Sequence, residues 1–118
     1  MTEVVAEGAG MEPKPAELTI VIDDGHGTTT TWQLTCDPVG GDHPDPSRAC
    51  AVLQTVGARY LPEVPEDLRC TQIYGGPETA HISGTWGSTV VDANLSRTDG
   101  CQIARWNGLV GLIPSGGM

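Results

Sequence analysis

Leu18, Ile20 and Ile22 alternate with Thr19, Val21 and Asp23, a period of two that predicts a half-buried strand opening at Glu17. Asp24-Gly25-His26-Gly27 supplies turn chemistry. Trp32, Leu34 and Cys36 then alternate with Thr31, Gln33 and Thr35, predicting a second strand that pairs with the first as a hairpin. From Asp37 to Pro46 the chain is rich in Pro, Gly and Asp and reads as loop. Asp45 is placed to cap a helix, with Pro46 at the first helical position, where the missing N–H costs nothing. Ala49, Val52, Leu53, Val56 and Tyr60 follow an i, i+3, i+4, i+7 stripe, which predicts a helix of about three turns with one face on the sheet. Pro62 and Pro65 end that regularity, and residues 61–78 read as a long exposed loop around Cys70. Thr79–Trp86 is predicted as a strand, Gly87-Ser88 as a tight turn, and Thr89–Arg97 as the partner strand with Val91, Ala93 and Leu95 on one face. Asp99 with Gln102 three positions on resembles a capping box, opening a short helix through Asn107 with Ile103 and Trp106 inward. The apolar Leu109–Ile113 leaves a last short strand open. The class is α+β, an antiparallel sheet with helices on one face.

Composition adds the context. The chain of 118 residues suits one domain, with residues 1–16, acidic and aperiodic, expected as a disordered arm, 17–113 as the domain and 114–118 as a flexible tail. Fifteen Asp and Glu stand against six Lys and Arg, a net charge of −9, which argues against a nucleic-acid partner because phosphate contacts need clustered cations. No apolar run is long enough for a membrane span. No export signal follows Met1, so an exported form would already have lost its signal. Aromatic residues make up 4% of the chain, with no Phe, so the core must be small and aliphatic. A small core with four cysteines fits a secreted, cross-linked domain. Cys36, Cys50, Cys70 and Cys101 contain no C-x-x-C pair, which disfavours zinc-ribbon and thiol-redox readings. Of the three pairings open to four cysteines, the sequential one closes the shortest loops.

Catalytic chemistry finds little support. His43, Asp45 and Ser47 fall within five residues around two prolines, too close in sequence to converge as a triad, and turn and cap roles account for them better. His26, His43 and His81 sit on separate elements without ligand spacing, and the acidic residues lack a calcium-loop pattern. Gly25-x-Gly27 and Gly75-Gly76 are turns with no phosphate-loop Lys after them, and Asn94-Leu95-Ser96 is a glycosylation triplet placed mid-strand. The expectation is a non-enzyme with no metal and no cofactor. What remains is Arg69-Cys70-Thr71-Gln72-Ile73-Tyr74-Gly75-Gly76-Pro77, anchored by a cysteine at one end and bent at the other. Its β-favouring middle is expected to sit extended. Such a loop is either a template for a protease cleft, with its ordering entropy lost before binding, or a plain surface loop over a structural disulfide.

The order of motifs decides between these. Leu34-Thr35-Cys36, Gly41-x-His43-Pro44, Ala49-Cys50, Cys70-Thr71-Gln72-Ile73-Tyr74-Gly75-Gly76-Pro77, Gly84-x-Trp86, Ser96-Arg97-Thr98-Asp99-Gly100-Cys101 and Ile103-Ala104-Arg105-Trp106 together resemble the Streptomyces subtilisin inhibitor family. The resemblance covers about residues 17–110. It implies a secreted inhibitor of serine proteases, chiefly subtilisin-like. It also implies bridges Cys36–Cys50 and Cys70–Cys101, a five-stranded antiparallel sheet with two helices, and a homodimer formed through the sheets. Carried over by position, the reactive bond is Gln72–Ile73, with Gln72 entering the primary specificity pocket. Arg69, Cys70 and Thr71 lie before the bond, Tyr74 and Gly75 beyond it, and Asp99 and Cys101 support the loop from below.

Three positions depart from the family pattern. Asp99 stands where a side-chain amide usually donates to loop carbonyls, and an ionised carboxylate only accepts, so a helix-cap role suits it better. Gln72 is neutral where Met, Lys or Arg often sits; subtilisins tolerate it, whereas a trypsin-like pocket would miss its charge partner. Arg69 replaces an apolar residue facing an apolar subsite. Two alternatives follow, a secreted metalloprotease as target on the same scaffold, or a non-inhibitory binding protein.

Overall fold

The computed structural model describes residues 14–65 and 67–115. The elements run β1 (Ala16–Asp23), β2 (Thr29–Cys36), β3 (Gly40–Gly41), α1 (Pro46–Tyr60), β4 (Thr79–Trp86), β5 (Thr89–Leu95) and α2 (Gly100–Gly108). The strands form one sheet in the order β3-β2-β1-β4-β5, antiparallel throughout. β1 is central, with Ile20 opposite Trp32 on one side and Ile82 on the other. Its alternation sends Ala16, Leu18, Ile20 and Ile22 into the core with Leu34, Ile82, Val91, Ala93 and Leu95. At about 25 cal/mol per Å2 of apolar surface removed from water, these aliphatic positions supply the main folding drive.

The helices cover this inner face. Asp45 accepts the Arg48 N–H as N-cap of α1, and Pro46 takes the first turn. The α1 helix runs 15 residues, longer than the three turns predicted. Its buried line is Ala49, Cys50, Leu53 and Gly57, with Val52, Val56 and Tyr60 only part-buried. The face is rotated from the predicted stripe because the Cys36–Cys50 bridge ties Cys50 to β2 and Gly57 lets the Trp86 ring approach. The second bridge joins Cys70 to Cys101, so both pairs are sequential. In the chain-entropy model loops of these lengths stabilise by roughly 3–4 kcal/mol each.

Three other expectations change, and the open question of the tail closes. The loop predicted over Asp37–Pro46 contains β3, a two-residue strand on Leu34 and Thr35. Gly41 there sits at φ +97°, and a Cβ would run into the Gln33 carbonyl, so only glycine serves. The strand predicted as Thr89–Arg97 ends at Leu95. The apolar Leu109–Ile113 adds no strand to the sheet; it turns back so that Leu109, Leu112 and Ile113 enter the core. At the start, Ala16 is buried in β1, Pro15 accepts the Gly87 N–H, and Lys14 bonds Gln54 and lies 4.7 Å over the Trp86 ring. The rest of the expected arm, 1–13, and residues 116–118 of the expected tail lie outside the described residues.

Candidate functional site

Between α1 and β4 the described residues form no helix or strand. Among the described residues, five large apolar side chains are exposed, and three of them (Leu68, Ile73 and Tyr74) lie on this stretch. Ile73 is 54% and Tyr74 62% exposed, and Arg69, Thr71 and Gln72 are exposed beside them. Apolar surface clustered this way marks a site for a partner.

The loop is held from below on both sides of Gln72 and Ile73. Before them, Cys70 is bridged to Cys101 in the first turn of α2. Asp99 caps that helix, its Oδ1 accepting the Gln102 N–H at 2.9 Å. This leaves the Gly100 N–H to donate to the Thr71 carbonyl at 2.8 Å. A backbone amide of α2 therefore holds the carbonyl next to Gln72. Gly100 packs close under Thr71, where a Cβ would come within 2.9 Å of the Thr71 Cβ. Beyond the pair, Gly75 is buried; its N–H donates to the Arg97 carbonyl at 2.7 Å, and its carbonyl accepts from Arg97 Nε at 3.2 Å. A Cβ on Gly75 would lie 2.8 Å from Ile103 Cδ1, so the loop rests directly on α2.

Between the anchors the chain does not run fully extended, as the β-favouring composition predicts. The Ile73 N–H donates to the Thr71 carbonyl at 2.9 Å, closing a tight turn about Gln72, and Gln72 Nε2 donates to the Cys70 carbonyl at 3.3 Å. The physical reason is local satisfaction: among the described residues no strand lies beside the loop to take these backbone groups. The arrangement holds no nucleophile and base in contact. What it offers is an exposed stretch of backbone on a fixed frame.

Arg97 is the supporting residue that motif reading passed over. It is 2% exposed, its guanidinium 5.7 Å from the centre of the Trp106 ring, with one Nη donating to Asn107 Oδ1 at 3.2 Å. A signal existed: Val91, Ala93 and Leu95 set a two-residue register that points position 97 inward. Gly100 had no such signal, because its contribution is a backbone N–H. Arg105, also buried, donates to the carbonyls of Tyr60, Leu61 and Asn94 and so pins the start of the loop segment to β5 and α2. Burial pushes its pKa down, with nearby Glu63 opposing the shift.

The other candidate groups serve the frame. His43 is buried against Trp32; its Nδ1 accepts the Asp45 N–H, which leaves the Nε2 proton for the Leu112 carbonyl. His81 pairs with Asp92 across β4 and β5 at 2.6 Å. Cys70, Asp99 and Cys101 cluster closely enough to hold a metal, but both sulfurs are committed to the bridge.

Comparison with known proteins agrees with this geometry. The family model described as subtilisin inhibitor-like matches residues 14–96. Subtilisin inhibitor-like protein 1 of Streptomyces cacaoi is 37% identical over 76 residues, covering 61% of this chain and 68% of that protein. In fold, the chain is similar to Streptomyces caespitosus sermetstatin, solved in complex with Bacillus licheniformis subtilisin. That likeness has a TM-score of 0.51 at 22% identity, and covers 87% of this chain and 99% of sermetstatin. With most of its length matched by the family model, an antiparallel sheet under two helices and two sequential bridges, the chain belongs to the subtilisin inhibitor-like family.

Proposed function

We propose that this chain, a protease inhibitor and not an enzyme by family, inhibits a subtilisin-like serine protease by offering Gln72–Ile73 as the scissile bond. The observation that carries the reading is an exposed peptide bond fastened close on both sides, at Cys70–Cys101 and at Gly75–Arg97. The loop adds as an extended segment to the edge of the enzyme cleft. Gln72 fills the primary pocket, Thr71, Cys70 and Arg69 occupy the subsites before the bond, and Tyr74 and Gly75 those after it. Docking opens the Ile73 to Thr71 and Gln72 to Cys70 hydrogen bonds, both exposed and each a net cost of about 1 kcal/mol. Ligation outpaces release because both new ends stay attached to the frame, and the complex persists.

Substitution at Gln72 tests the site. Gln72→Lys is expected to create trypsin inhibition, since the lysine supplies a charge for the acidic primary pocket. Gln72→Pro is expected to abolish subtilisin inhibition without unfolding the protein. Trypsin left untouched by a folded Gln72→Lys variant overturns the assignment of the bond.

A secreted metalloprotease is the second candidate target, favoured by the cationic, exposed Arg69 where an apolar subsite residue is usual. Titration against both enzyme classes separates the two. Secretion and a homodimer formed through the sheets belong to the same proposal, and sedimentation tests the dimer. Among the described residues no helix is long and apolar enough to cross a membrane.

A further inference from the structure

The two sides of Gln72–Ile73 are fastened by different chemistry. Before the bond there is a covalent bridge at Cys70, reinforced by the Gly100 N–H on Thr71. After it, the first residue hydrogen-bonded to the frame is Gly75, and both its polar groups go to Arg97. Packing alone at position 97 would be served by an aliphatic side chain continuing the Val91, Ala93, Leu95 register. A guanidinium that is 2% exposed costs folding energy unless its donors are used. Here they are used across the loop: Nε reaches the Gly75 carbonyl and one Nη reaches Asn107 on α2, while the guanidinium carbon sits 5.7 Å from the centre of the Trp106 ring. Glu78, on the segment leading out of the loop, brings an opposite charge 3.9 Å from Nε. The fork therefore ties the stretch after the bond to the helix that carries Cys101.

We infer that Arg97 is a positioning residue that holds the Ile73-Tyr74-Gly75 end in place after cleavage, so that the bond re-forms. The inference rests on the reading of Gln72–Ile73 as the scissile bond. In the acyl-enzyme the protease serine Oγ is bonded to the Gln72 carbonyl carbon, and the Ile73 nitrogen, having gained a proton, is a free amine. Water hydrolyses this ester to cut protein with a Gln72 carboxylate, and resealing of cut protein returns through the same ester as the serine displaces that water. Re-formation is attack of that amine on the ester carbon, expulsion of Oγ and return of a proton to the oxygen through the enzyme's base. The amine lies two residues from Gly75, so with Arg97 in place it is tethered within about 7 Å of a fixed point. Such a tether keeps its effective concentration at the ester high. Without the fork, the Gly75 carbonyl is released and the free end gains conformational entropy, which favours the cut form.

The test measures the cut-to-intact ratio at equilibrium with catalytic subtilisin, and the rate at which purified cut protein is resealed. Arg97→Met, which keeps the stem and removes the donors, is expected to move the ratio about tenfold toward the cut form and to slow resealing about tenfold. Arg97→Lys, with a charge but no fork, is expected to fall between Arg97→Met and the unchanged protein, and it decides the matter if Arg97→Met does not fold. A role confined to stability lowers the melting temperature and leaves the ratio, measured well below melting, unchanged; that result overturns the inference. Cleavage of the unchanged protein elsewhere than before Ile73 overturns the bond assignment, and this inference with it.

Discussion

Asp99 sits where a carboxylate can act only as an acceptor, and the acceptor it becomes is a helix cap. Its Oδ1 takes the Gln102 N–H, which sets the first turn of α2 and aims the Gly100 N–H at the Thr71 carbonyl. Asn and Asp are near-equal caps, whereas Ala loses about 1 kcal/mol. Asp99→Asn is therefore expected to keep the stability of the chain within about 0.5 kcal/mol, and Asp99→Ala to lose about 1 kcal/mol, both read by denaturant unfolding. An Asn variant less stable than the Ala variant contradicts the cap. The roles of Asp45 and Asp99 were legible because a cap is a relation over three residues of sequence. That of Arg97 was half-legible: its inward register followed from β5, but its partner Gly75 lies 22 residues away. Gly100 was not legible, since its contribution is the same backbone group every residue but proline carries.

At the scale of elements, each bridge joins a helix to a separate part of the chain. Cys36–Cys50 fixes α1 to β2, and Cys70–Cys101 fixes the exposed segment around Gln72 to α2. Selective reduction of Cys70–Cys101 removes the only covalent tie close to Gln72–Ile73 among the described residues. The reduced protein is expected to turn from inhibitor to substrate, seen as rapid cleavage before Ile73; a reduced form that still inhibits for hours shows that packing alone holds the loop. Strands β1 and β5 were legible from alternation because one face of each is buried and the other is not. The face of α1 was misplaced because small residues, Cys50 and Gly57, occupy its centre, and hydropathy alone ranks Val52 and Val56 above them. The tail stayed open for a related reason: an apolar run tells that Leu109, Leu112 and Ile113 are buried, not whether they are extended or turned.

For the whole molecule, the sheet is a platform whose inner face carries two helices and whose second helix carries the loop. Trp106 on α2 is buried beneath Arg97, so core packing and loop support meet at one place. The conformation of the loop itself was the least legible feature. Composition favoured an extended segment, whereas with no strand beside it the backbone satisfies its own groups in a turn about Gln72. The central claim is that this platform lets a protease cut Gln72–Ile73 without releasing the product. Titration of subtilisin with the protein, followed by N-terminal sequencing of any fragments, tests it most directly. The account predicts stoichiometric inhibition with a single new terminus at Ile73. Fast cleavage to completion, or no inhibition at all, would contradict it.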